Sequence, residues 1–114
     1  MRFVVFRKAD DQTEAGARPS RELVDEMLAY NREMIDAGVL LEGMGLRPSA
    51  EGVRVLFDGA KTTVVDGPFA ESKELVAGYS LIQTRTREEA IEWLRRWPAE
   101  DADGEVRLEL RAVL

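Results

Sequence analysis

Four apolar residues in a row, Phe3-Val4-Val5-Phe6, stand between Arg2 and Arg7. A strand throws successive side chains to opposite faces, so Phe3 and Val5 point one way and Val4 and Phe6 the other. A strand with one solvated face alternates apolar with polar residues. This one does not, and it reads as a central strand covered from both sides. The rest of the chain has to supply that cover.

The segment Ala9–Arg18 is polar, carries Gly16 and reads as a loop. Pro19-Ser20 then opens a helix, with the Ser20 hydroxyl placed to accept free backbone N–H groups and Glu22 in the first turn. Leu23, Val24, Met27, Leu28, Met34 and Ile35 recur at helical spacing, and Ala37-Gly38 closes the helix. Val39–Leu46 reads as a strand interrupted by Gly43 and Gly45, and 47–52 as a loop. Val53–Phe57 and Thr62–Asp66 form a hairpin about Asp58-Gly59, a turn whose two central residues both need positive φ. After an irregular stretch to Leu75, Ala77–Thr84 is a strand. Thr86 and Glu89 form a capping box for a second helix carrying Ala90, Ile91, Trp93, Leu94 and Trp97, which Pro98 stops. Beyond an acidic loop at Glu100–Gly104, Val106, Leu108 and Leu110 alternate in a last strand.

This order (β-α-β, a hairpin, then β-α-β) predicts an α+β fold of one domain over residues 1–114. It is a ferredoxin-like two-layer sandwich in which both helices lie on one face of a largely antiparallel sheet, with an extra β-hairpin. The other sheet face keeps an apolar pair from the first strand. A homodimer pairing two such faces is the expected cover.

Histidine and cysteine are both absent. That removes imidazole bases, thiolate nucleophiles, disulfides and the usual His- or Cys-ligated metals. The net charge of −6 argues against nucleic acid and against an anionic membrane surface, since phosphate binding relies on clustered Lys and Arg. The N-terminal apolar run is too short for a leader or a membrane span, so the chain reads as cytoplasmic. No cofactor and no metal is called for.

One segment is distinctive: Asp66-Gly67-Pro68-Phe69-Ala70-Glu71-Ser72-Lys73-Glu74. With Gly38–Pro48 upstream, and with Gly78–Ile82, Glu89–Trp93 and Glu109-Leu110-Arg111 downstream, it resembles the DGPF-domain proteins, a branch of the YCII-related family. The resemblance implies a ferredoxin-like fold paired into a dimeric α+β barrel, no assigned reaction, and an association with sigma factors of the extracytoplasmic type. The chain departs from the family twice. The His-Asp pair proposed as catalytic in YCII proteins has no histidine to supply it. Met44 stands where close relatives commonly carry an acid, although Glu42 lies two residues earlier on the same strand face.

The candidate ligand-binding residues are Glu42, Gly43, Met44, Asp66, Gly67, Pro68, Phe69, Glu71, Lys73 and Tyr79. Each has a plainer reading. Asp66 can end a strand and hold a turn, Pro68 fixes φ, Phe69 fills the core, and Glu71 with Lys73 is solvated surface. Alternatively Asp66, Glu71 and Lys73 place charge beside an aromatic wall. Gly43 and Gly45 mark the close approach of another backbone or of a ligand. Tyr79 carries a phenol that needs a partner if buried. Trp93 and Trp97 belong to the core. The favoured function is a small-molecule-binding or accessory regulatory domain. The alternative is a small dimeric α+β-barrel enzyme, of the cofactor-independent oxygenase or isomerase type, using Asp66, Glu42, Lys73 or Tyr79 as acid or base.

Overall fold

The computed structural model describes all 114 residues. Six strands and three α-helices follow in the order β1 (Arg2–Lys8), α1 (Asp11–Glu14), α2 (Arg21–Asp36), β2 (Leu40–Gly45), β3 (Val53–Asp58), β4 (Lys61–Asp66), β5 (Val76–Gln83), α3 (Arg87–Arg95) and β6 (Leu108–Ala112). Four of the strands form one antiparallel sheet in the order β2-β5-β1-β6, which puts the apolar first strand in its interior. The fold is α+β and ferredoxin-like. No helix is long and apolar enough to cross a membrane.

Register decides what each face carries. Phe3 and Val5 lie opposite Ile82 and Ser80 on one side, and opposite Ala112 and Leu110 on the other. This face meets α2 and α3. Its core is Phe3, Val5, Tyr30, Met34, Val39, Ile82 and Ala90, with Trp93 and Trp97 packed against it. The Tyr30 hydroxyl donates to the Trp93 carbonyl at 2.7 Å and its ring meets Trp97 edge-on, which ties α2 to α3. Val4, Phe6, Tyr79 and Leu81 point from the opposite face and are only half-buried.

Local chemistry sets the element ends. Ser20 Oγ accepts from the Leu23 N–H, and Gly38 leaves α2 with φ +72°. At α3 one half of the expected capping box forms. Thr86 accepts the Glu89 N–H, while the Glu89 carboxylate turns towards Arg85. The segment expected as a loop from Ala9 contains α1, because Asp10 and Thr13 cap each other reciprocally. The hairpin turn also differs from expectation. Asp58 pairs with Lys61, so Gly59-Ala60 is the central pair and only Gly59 has positive φ. That is the turn with glycine first, not the doubly left-handed one.

β3 and β4 form a two-stranded sheet of their own rather than widening the main one. Nearly every residue in it is exposed, Phe57 at 77%.

Candidate functional site

Beneath the second half of α2, large side chains fill the layer between helix and sheet. Beneath its first half they do not. There the helix-facing sheet positions are Gly43 and Gly45 on β2 and Gly78 and Ser80 on β5. A cavity of about 710 Å³ opens above them, roofed by Leu23, Met27 and Asn31 of α2 and by Gly16–Ser20. Its size falls within the range of small-molecule sites.

The three glycines have different reasons to be there. A Cβ at Gly78 would stand 3.1 Å from the Met44 carbonyl oxygen, and one at Gly43 would stand 3.3 Å from Ser80 Oγ, so both sit in close quarters. A Cβ at Gly45 would meet nothing within 4 Å, and its backbone is not left-handed. Glycine weakens a strand, and no neighbour in this chain demands one at 45. What Gly45 provides is empty volume.

The polar groups around the cavity divide into satisfied and free. Arg7 enters from β1, and its guanidinium bonds Asp101 twice (Nη2–Oδ1 2.5 Å, Nε–Oδ2 3.2 Å), Asp10 at 3.0 Å and the Lys8 carbonyl at 2.8 Å. Asp101 is buried and also accepts the Trp97 indole N–H at 2.8 Å. Burial alone would lower the Arg7 pKa, but the hydrogen bond and charge of Asp101, with those of Asp10, hold it above its ordinary value. Asp10 is held below its ordinary value although burial pushes it up, because the Thr13 N–H and Arg7 stabilise the carboxylate. This corner is internally paired. By contrast, Asn31 and Ser80 line the cavity without a side-chain hydrogen bond to the protein.

Of the residues singled out from the sequence, Gly43, Met44 and Tyr79 border the cavity. Met44 pairs with Tyr79 on the sheet face turned away from the helices. There the Tyr79 hydroxyl donates to Glu42 Oε1 at 2.7 Å, and that bond raises the phenol pKa above its ordinary value. A raised pKa disfavours tyrosinate at neutral pH, so the pair is poorly suited to base chemistry.

Asp66, Gly67, Pro68, Phe69, Glu71 and Lys73 lie elsewhere, at the base of the hairpin, and none lines the cavity. Gly67-Pro68 is a cis peptide. A Cβ on Gly67 would fall 1.8 Å from the Ser49 carbonyl oxygen, so only glycine fits. Ser49 is the hub: its Oγ donates to Glu14 Oε1 at 2.5 Å and accepts the Phe69 N–H at 3.1 Å, while its own N–H reaches Glu14 Oε2 at 2.9 Å. Phe69 is half-buried outside the core, with the Arg54 guanidinium 3.9 Å from its ring centre. Asp66, Glu71 and Lys73 are exposed and make no side-chain hydrogen bond or ion pair. The segment acts as a clasp between hairpin and α1.

Reading the sequence did not pick out Arg7, Asn31, Ser80 or Gly78. Asn31 was the findable one. It stands four residues after Met27 on the inward stripe of α2, where an apolar residue would pack better.

The fold is similar to that of 5-chloro-2-hydroxyhydroquinone dehydrochlorinase from Burkholderia phenoliruptrix AC1100, solved with 2,5-dihydroxybenzoquinone. The TM-score is 0.45 and the identity 12%, over 96% of this chain and 91% of that one. An uncharacterized protein of Rhizobium meliloti (strain 1021) is 33% identical over 70 residues, which is 61% of this chain and 56% of the relative's length. The profile of the YCII-related domain matches residues 1–110, and the chain therefore belongs to the YCII-related domain family.

Proposed function

We propose that this chain is a small-molecule-binding domain whose ligand lies between α2 and the sheet, over Gly43, Gly45 and Gly78. The observation that carries this reading is Gly45, a strand glycine required by no protein neighbour whose missing side chain leaves the cavity open. The unpartnered Asn31 and Ser80 support it, since polar groups in an apolar layer gain from a ligand that completes their hydrogen bonds. The satisfied Arg7–Asp101–Trp97 network makes one wall rigid before any ligand enters.

The protein works as a homodimer in this reading. Val4, Phe6, Tyr79 and Leu81 form a half-buried apolar face with no cover in the protomer, and a second copy offers a matching one.

Native mass spectrometry tests both statements. Released gently, the wild type is expected at twice the chain mass with a discrete extra mass that denaturation removes. Gly45→Leu is expected to lose the extra mass and keep the dimer. Equal adducts on wild type and Gly45→Leu would place the ligand elsewhere, and a monomer would remove the dimer.

A further inference from the structure

Taking the cavity as a binding site, its charge pattern goes on to indicate what it selects. The one charged side chain that enters from the sheet, Arg7, is held between Asp101 and Asp10. Glu100 and Asp103 line the same side. That end is net negative and repels an anion. Two other arginines line the cavity. Arg18 has no hydrogen-bond or ion-pair partner, and the nearest carboxylate to Arg47 is Glu51 at 3.7 Å, with the Arg47 side chain 83% exposed. An exposed pair of that kind contributes little and leaves the guanidinium free to exchange partners.

Arg18 and Arg47 belong to adjoining segments, since a Cβ on Gly16 would stand 3.7 Å from the Pro48 ring. Leu23 and Met27 of α2 add an apolar part to the lining over the glycine floor. A floor without side chains is flat. It suits a planar apolar body better than a branched one.

We infer that the cavity takes an amphipathic organic anion, its flat apolar body on the Gly43–Gly45–Gly78 floor and its carboxylate or equivalent acid group at Arg18 and Arg47. Guanidinium meets such groups with two parallel N–H donors, so two arginines give orientation as well as charge. The carboxylates around Arg7 repel an anion and so favour the same placement of the acid group.

Three probes of one shape separate the possibilities: 2-naphthoate, 2-naphthylmethanol and 2-naphthylmethylamine. Each is titrated into the ¹⁵N-labelled full chain, with dissociation constants read from the Gly45 and Ser80 amides and the Trp97 indole. The inference expects naphthoate to bind about tenfold or more tighter than the alcohol, as for a charged hydrogen bond at a partly open site. It expects the naphthoate preference over both the alcohol and the amine to disappear in the Arg18→Gln/Arg47→Gln variant and to shrink with added salt. Those two residues are exposed, so the variant keeps its spectrum of folded peaks.

If the three probes bind alike at the cavity, or if the double variant keeps the preference, the anion assignment falls and the binding site stands. Should no probe shift the cavity amides, or Gly45→Leu shift them as the wild type does, both readings fall together.

Discussion

Gly67 shows how far a single residue can be read. Its place in the Asp66–Glu74 segment was visible, and the pairing of glycine with proline pointed to a constrained turn. What it packs against was not visible, because Ser49 lies 18 residues away in sequence. Gly67→Ala would force its methyl into the Ser49 carbonyl. A loss of roughly 1–3 kcal/mol is expected, at the scale of other overpacking changes, read as a lower urea midpoint at unchanged slope. An unchanged midpoint would mean the clasp is loose.

The two tyrosines give a test at alkaline pH. Burial pushes the Tyr30 phenol up to about 12, and the Glu42 bond raises Tyr79. Both titrate above the ordinary phenol range in the folded protein. Tyr30 keeps its proton where the unfolded chain has lost it, so its contribution is complete below pH 10. It is lost as pH rises from about 10 to 12. Glu42→Gln removes the acceptor charge, and the Tyr79 absorbance transition should move down towards 10 while that of Tyr30 stays. A transition already near 10 for both in the wild type would contradict the burial of Tyr30 and the Tyr79–Glu42 hydrogen bond.

At the scale of elements, periodicity carried most of the fold. α2, β1, β5, α3 and β6 arise where apolar spacing and caps agree. α1 was missed because four residues are too few to show a period, although its cap pair Asp10 and Thr13 was there to be seen. The hairpin was legible, but its turn was misplaced by one residue. Asp-Gly and Gly-Ala both suit two-residue turns, and only the pairing of Asp58 with Lys61 decides between them. Two strands exposed on both faces have little tertiary support. Amides of β3 and β4 should exchange with solvent before those of β1 and β5, which hydrogen-exchange mass spectrometry reads directly. Phe69→Ala should speed them further by removing the Arg54 stack. Equal protection across the two sheets would show that the hairpin is covered in solution.

For the whole molecule, the sequence announced a sheet whose second face carries apolar residues, and the structure leaves Val4 and Phe6 of that face half-buried in the single chain. It did not announce the cavity. A cavity is a set of absences distributed over β2, β5 and α2, and periodicity records what is present. Gly43 and Gly45 were the trace it left, and they gained meaning only when register set them beside Gly78 and Ser80. The molecule therefore offers three apolar surfaces to a small ligand: the cavity, the open sheet face and the hairpin. Mapping 2-naphthylmethanol by amide chemical shift tests most directly which one is the site. Saturable shifts at Gly45, Ser80 and the Trp97 indole are predicted, absent in Gly45→Leu. Shifts confined to Phe57 and its neighbours on the hairpin, or to Phe6 and Leu81 on the open face, would contradict it.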